Sequence, residues 1–316
     1  MRLLQKVLNK LNGLHYKQEY LCFAKEAFIQ PPHLYISNDH RAVQDVTAAH
    51  VFAGYCPLVF AFYQNGLPDQ LQLTLTQEPL SLNEKFAEKD ALATLNFKKI
   101  RAAAGIVYYE GTTGKHRFLP AFNQLAGNLY NRLYNKKPGN VFLHDNLYRQ
   151  VQAAYAVPRS IALITVGEDD LFNLFPTDLH GQVNETQYII SLRTGGRALE
   201  QVQKAGRLLL TAVSSSAYQT AYALGKNHMQ PLRPKNELSF SASVSENFKW
   251  PLPENAIGYK ELQLQDAFVH GIHSIMLFSI NFQQQLQPGE GSLAHIHNSY
   301  ATWRYKNKLP GNYLLR

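Results

Sequence analysis

Cysteine is scarce in this chain: 316 residues contain two, Cys22 and Cys56. Their separation does not match metal-ligand spacing, so a zinc module or a disulfide scaffold is excluded and both read as buried free thiols. Long apolar runs are also missing, and no stretch approaches the ~20 residues that a membrane helix requires. Charged residues make up 17% and hydrophobic ones 45%, a balance that excludes intrinsic disorder. Acidic residues are the scarcer sign, 23 against 31 basic ones, which leaves a net charge of +8. Such an excess attracts anions, either nucleic acid or small phosphorylated ligands. The basic clusters are short and scattered, at Lys98-Lys99-Ile100-Arg101, Arg132 to Lys137 and Arg304 to Lys308. With no finger spacing and no RNA-binding aromatic motif, the pattern argues against nucleic acid and for a phosphorylated small ligand.

What is present allows two domains by length. Leu3, Leu4, Val7, Leu8 and Leu11 have helical spacing, interrupted by Lys and Asn, so the start reads as an amphipathic helix rather than a signal peptide, and the expected location is cytoplasmic. His33 to Ser37 reads as a strand. Between Asp45 and Ala61 the Gly-Tyr-Cys-Pro break predicts a short helix followed by a strand at Leu58 to Tyr63. Asn65-Gly66 signals a hairpin, and Leu71, Leu73 and Leu75 alternate with polar residues as a half-exposed strand. Glu84 to Leu95 reads as helix and Ala103 to Tyr109 as strand. The Gly111-Thr112-Thr113-Gly114-Lys115 string could expose backbone N–H groups to phosphate, but a hairpin turn is the simpler reading. Asp39-His40 and His50 read as surface or satisfied core groups. Lys136 to Asn140 reads as a solvated turn, and Leu143 to Ala156 as a connecting helix. This divides the chain into an N-terminal α+β domain at 1–142, without assigned function, and a second domain at 143–316.

The second domain opens on its most regular stretch. Ser160 to Val166 is a β-branched apolar run, and Gly167 to Asp170 is a turn. A polar Asn-Phe-Pro-Thr-Asp loop follows, then a strand at Tyr188 to Leu192. A Gly195-Gly196 break, a helix at Leu199 to Ala205 and a strand at Leu208 to Val213 complete the stretch. Beyond it, Ser214-Ser215-Ser216 can cap a helix carrying Tyr218 and Tyr222. Strands are expected at Leu238 to Val244, Tyr259 to Leu264 and Gly271 to Asn281. His295 and His297 share one face of a strand, and with no third ligand evident they read as a solvated face rather than a metal site. Trp303 and Tyr305 share a phase suited to covering a barrel edge.

Arg159-Ser160-Ile161-Ala162-Leu163-Ile164-Thr165, the Asn173, Pro176, Thr177, Asp178 loop, and Ser191, Arg193, Thr194 and Arg197 ahead of a helix resemble, in that order, the flavin reductase-like family over residues 155–306. The resemblance implies an α+β protein whose C-terminal half is an antiparallel, Greek-key FMN-binding split β-barrel. It implies an oxidoreductase that binds FMN and takes electrons from NAD(P)H, built as a homodimer. Its cofactor-binding positions fall on Arg159, Thr165, Asn173, Phe175, Pro176, Thr177, Asp178, Ser191, Arg193, Thr194, Arg197 and Thr211. The residues themselves predict that Arg193 and Arg197, flanking Thr194-Gly195-Gly196 at a helix start, hold phosphate. Ala198 stands where the family has Thr and Asp178 where it has Ser. These two positions favour the alternative, a non-catalytic barrel that binds flavin or another ligand.

Overall fold

The computed structural model describes residues 13–64, 66–134 and 141–314. The amphipathic segment before Gly13, Asn65 of the hairpin signal and the Lys136 to Asn140 turn lie outside the described residues. The first half contains β1 (Tyr20–Ala24), β2 (His33–Asn38), β3 (Arg41–Asp45), β4 (Val51–Tyr55), β5 (Leu58–Tyr63), β6 (Gln70–Thr76), β7 (Ala91–Ala103) and β8 (Ile106–His116). Helices α1 (Ala121–Tyr134) and α2 (Asp145–Ala154) follow. The second half runs through β9 (Arg159–Ser160), β10 (Ala162–Glu168), β11 (Leu171–Thr177), β12 (His180–Gln182), β13 (Gln187–Arg193), α3 (Arg197–Ala205), β14 (Arg207–Val213) and α4 (Tyr218–Ala223). It ends with β15 (Arg233–Pro234), β16 (Phe240–Val244), β17 (Pro251–Pro253), β18 (Ala256–His270), β19 (His273–Gln285), β20 (Leu293–His297) and α5 (Asn298–Lys306). Among the described residues no helix is long and apolar enough to cross a membrane.

Two large antiparallel sheets dominate. The first is seven-stranded, in the order β3-β2-β6-β7-β8-β5-β4; the second is eight-stranded, β12-β13-β19-β18-β14-β10-β11-β15. Read from its other end and without β15, the second sheet repeats the first. Hairpin β10–β11 takes the place of β2–β3, β12–β13 that of β4–β5, β14 that of β6, and the long hairpin β18–β19 that of β7–β8. The two halves therefore share one chain path. They differ in what joins the strands. Residues 64–69 link β5 to β6, whereas α3 links β13 to β14; between β14 and β18 the chain adds α4 and β15 to β17.

The equivalent edge strands β4 and β12 meet where the halves pack. Val51, Ala53, Val59, Ala61, Ile106 and Tyr108 from one half and Ile189, Ile275 and Leu277 from the other form a single apolar cluster. Burying such side chains is the dominant favourable term in folding, about 25 cal/mol per Å² of apolar surface. A third sheet, β1-β20-β9, joins a strand from the first half to two from the second.

Several expectations are corrected. The short helix expected after Asp45 is instead β4. Glu84 to Leu95 forms a one-turn 3-10 helix and then β7, because Ala91–Ala103 pairs on both sides, with β6 and β8, and a central strand position overrides local helix propensity. The Asn65-Gly66 signal does not mark a hairpin: β5 and β6 are separated in the sheet by β7 and β8. The Asn173 to Asp178 loop is largely β11. Gly111 to Lys115 is neither a phosphate loop nor a turn but the interior of β8. Gly114 is needed there because a Cβ would come 2.7 Å from Gln150 Cγ, where α2 crosses the strand. Trp303 and Tyr305 lie on α5, not on a strand.

The β18–β19 turn seats the second half on the first. Gly271, at φ +58°, places its α-carbon against the Cys56 carbonyl, and Ile272 N donates to Cys56 O at 3.1 Å. Gly271→Ala adds left-handed strain and a clash with fixed backbone. Gly289→Ala, at φ +86° with nothing nearby, adds strain alone. Chemical denaturation is expected to show a loss of about 1 kcal/mol for Gly289→Ala and about 3 kcal/mol for Gly271→Ala. Equal losses would remove the seating role.

Candidate functional site

A cleft of about 830 Å³ opens where the two halves meet. One wall comes from the second half, through the ends of β11 and β13, the segment 194–196, the start of α3, and α4. The other comes from Tyr55 in the β4–β5 turn, Leu143, and Tyr148, Val151 and Tyr155 of α2. Tyr20 of β1 and His295 of β20 close one end.

The other end is built for an anion. β13 delivers Arg193 beside the cleft, and the chain turns through Thr194-Gly195-Gly196 into α3, whose N-cap Gly196 leaves the first-turn N–H groups without a side-chain cap. A helix start of this kind presents donors and partial positive charge. Thr194 is held by its N–H to Ile272 O at 2.8 Å. Arg193 lies over the Tyr55 ring at 5.5 Å and pairs across the ladder with His273. His273 is 1% exposed and sits edge-on to Tyr55 at 4.7 Å, and neither of its ring nitrogens has a partner. Ser191 Oγ, also buried in the cleft wall, has none either. Buried polar atoms are almost always hydrogen-bonded, so unpaired ones in residues that line a cleft are unusual. Burial, with help from Arg193, lowers the His273 pKa to about 4, so the ring is neutral at pH 7.

The Tyr20 end holds a connected network. Tyr155 OH donates to Asp178 Oδ2 at 2.7 Å, His295 Nε2 lies 3.0 Å from the same oxygen, and Tyr222 OH lies 2.8 Å from His295 Nδ1. Tyr20 stacks on His295 at 4.9 Å between centroids. Burial by itself would raise the Asp178 pKa, but the hydrogen bonds from His295 and Tyr155 outweigh it and hold the carboxyl at about 2. Burial first, then the nearby Asp178 charge, pushes the Tyr155 phenol well above its usual range.

Of the residues picked out in the sequence, Pro176, Thr177, Asp178, Ser191, Arg193 and Thr194 line the cleft. The others do not. Arg197 is exposed on the first turn of α3, outside the lining. Thr165, Thr211 and Phe175 are fully buried inside the second half. Asn173, also fully buried, ties β11 to α3 and to the segment after α4 by donating to Gln201 Oε1 at 2.8 Å and Asn227 O at 3.0 Å. Arg159 lies behind the cleft, where its guanidinium stacks over Phe52 at 4.6 Å, donates to Ala154 O at 3.0 Å and meets His50 Nε2 at 3.2 Å. His295 and His297 are buried, not solvated, because β20 is the middle strand of its sheet. The sequence reading missed Tyr55, Tyr148, His273 and Tyr222 as cleft residues. For His273 the available signal was its place at the head of a β-rich run. Among the described residues no group of three or more His, Cys, Asp or Glu is placed to hold a metal.

No protein-family profile matches the chain, and no curated protein does. Solved structures are similar to about half of it. A Streptomyces globisporus NADH:FAD oxidoreductase is 12% identical, with 52% of this chain and 96% of that one covered and a TM-score of 0.42. The flavin reductase component BorF of a bacterial two-component tryptophan halogenase is 14% identical, with 47% and 91% covered and a TM-score of 0.41. An FMN-binding protein from Thermus thermophilus is 16% identical, with 40% and 72% covered and a TM-score of 0.36. These three are an NADH:FAD oxidoreductase, a flavin reductase component and an FMN-binding protein.

Burial lowers the pKa of His116 and His273 to about 4 and that of His297 to about 3, from an ordinary 6.5. All three stay neutral in the folded chain, whereas the unfolded chain protonates them below pH 6.5. Their contribution is therefore complete above pH 6.5 and is lost as pH falls toward 4, by up to about 1.4 kcal/mol per pH unit for each ring. The urea midpoint is expected to fall steeply between pH 6.5 and 4.5 and less so in His297→Gln. A flat profile would contradict the neutral assignment.

Proposed function

We propose that this chain is a flavin-binding protein of the flavin reductase type, with one flavin held in the cleft between its two halves. The observation that carries this reading is the anion-ready end of the cleft. Arg193, the uncapped start of α3, and the unpartnered His273 and Ser191 converge there, opposite an aromatic wall. The cleft's about 830 Å³ lies within the roughly 300–1,000 Å³ usual for small-ligand sites. The phosphate of FMN would lie on Arg193 and the backbone of residues 194–196, and the ring system between the Pro176–Asp178 segment and the tyrosines of the first half. When bound, flavin supplies the electron chemistry; the protein binds, orients and excludes water. NAD(P)H is the proposed reductant, in the same open cleft. A cytoplasmic setting goes with this reading, since both cysteines are free thiols.

The homodimer that the resemblance implies takes a different form in this proposal. The first half repeats the strand order of the second and contributes Tyr55 to the cleft, and α2 with its C-cap, packed on β8, adds Tyr148 and Tyr155, so together they stand where a second subunit would. The anion end is built once, because α3 has no counterpart among the described residues of 64–69. One flavin per chain is therefore expected, rather than one per half.

The second reading, a ligand-binding protein without reductase activity, is favoured by Asp178, whose carboxylate holds negative charge inside the cleft. Absorbance near ~450 nm after flavin loading, with bleaching by NAD(P)H, supports the reductase; colour without bleaching supports the second reading. By calorimetry, Arg193→Ala is expected to weaken FMN by about 1.5–3 kcal/mol, the worth of a charge-assisted hydrogen bond. Lys204→Ala, at the far end of α3 and paired with Glu168, is expected to leave it unchanged. Absence of binding in the parent protein, or equal affinities for parent and Arg193→Ala, would reject the site.

A further inference from the structure

The Tyr20 end of the cleft holds a constellation that flavin binding does not require. We propose that Asp178, His295 and Tyr222 form a general acid–base relay, with the Tyr222 hydroxyl as the group that exchanges a proton with a molecule held in the cleft.

The connectivity sets the roles. The Asp178 carboxylate only accepts, from Tyr155 OH at 2.7 Å and from His295 Nε2 at 3.0 Å. Nε2 therefore carries a proton, and in the neutral ring that the relay requires, the Nδ1 lone pair accepts from Tyr222 OH at 2.8 Å. The order carboxylate–imidazole–hydroxyl is the one in which a base activates a hydroxyl while a third group fixes the base's tautomer. In one direction Tyr222 takes a proton from the ligand and passes its own to Nδ1, leaving an imidazolium beside Asp178. In the other, the neutral ring first takes a proton from solvent at Nδ1, and the imidazolium then returns it to Tyr222 as the phenol protonates the ligand, which regenerates the Nε2–H ring at the expense of one solvent proton. One proton moves at each end and no atom of the relay changes oxidation state.

The surroundings suit this task. His295 is 5% exposed, stacked under Tyr20 and fixed at Cα by pairing with Cys22 and Arg159, so its ring is oriented rather than free. Asp178 is kept ionised and stabilises the imidazolium without taking its proton. The phenols of the buried Tyr155 and the partly buried Tyr20 are both pushed well above their usual range, so they do not compete as bases. Tyr222 and Asp178 are both partly buried and both line the cleft, and of these two only Tyr222 carries a proton to exchange. The ligand chemistry that fits is an acceptor whose reduction creates an O–H bond, a carbonyl or a quinone.

Two measurements test the relay. The acceptor comparison rests on the flavin reading; the imidazole measurement does not. Nitrogen NMR of the full chain is expected to show His295 as the Nε2–H tautomer, with an Nδ1 resonance that moves to the value of an unbonded nitrogen in Tyr222→Phe. An Nδ1–H tautomer would reverse the chain and overturn the proposal. In flavin-loaded protein, Tyr222→Phe is expected to slow reduction of a benzoquinone by about 100-fold, a typical worth of general acid–base catalysis. Reduction of ferricyanide, which takes up no proton, stays at the parent rate. Equal slowing of both acceptors means a structural role, and no slowing of either means no role; both overturn the relay. If the parent binds no flavin, the flavin reading fails, and the imidazole tautomer alone decides the relay.

Discussion

Everything in the molecule that resembles a site depends on two like edges meeting. β4 and β12 hold the same position in their respective sheets, and Val51 of one packs onto Gly181 of the other. Around that contact the shared cluster of Val59, Ile106, Ile189 and Ile275 excludes water and holds the halves in one geometry. The cleft is the space left beside the seam. Its walls are rigid because each is backed by a sheet, and neither half alone supplies both walls.

Electrostatics within that space is graded. One end carries Arg193 and a helix start; the other carries the ionised Asp178. Between them lie His273, neutral, and a group of tyrosines whose burial keeps them protonated. A low effective dielectric strengthens each hydrogen bond in such surroundings and makes each unsatisfied atom costly.

Much of the second half was legible from local signals. The strands at Tyr188 to Leu192 and Leu208 to Val213 and the helix after Gly196 appear as read, because each has a clear period and a clear stop, whereas the run from Ser160 to Val166 divides at Ile161 between β9 and β10, which belong to different sheets. Pro176 to Asp178, Ser191, Arg193 and Thr194 reach the cleft because a strand end and a glycine turn aim them there. Thr165 and Thr211 did not follow, since strand alternation shows which residues share a face but not which face meets the cleft. His273 and Arg193 are far apart in sequence and meet only through the β13–β19 register. The likeness of the halves left no trace as a sequence repeat. It shows in topology, because strand order depends on where chains turn and which faces are apolar, and many sequences satisfy both conditions.

The small sheet β1-β20-β9 has a bearing on how the protein comes to be complete. β20 is the last strand, and it inserts between a strand from the start of the chain and one from the middle. Contacts of such sequence separation form late, because the long loops between them must close first. The seven-stranded sheet and the seam can assemble while β20 is still unpaired. His295 rides on β20. The cleft therefore takes shape before the residue that connects Asp178 to Tyr222 arrives, and a half-folded chain has a container without its proton chemistry.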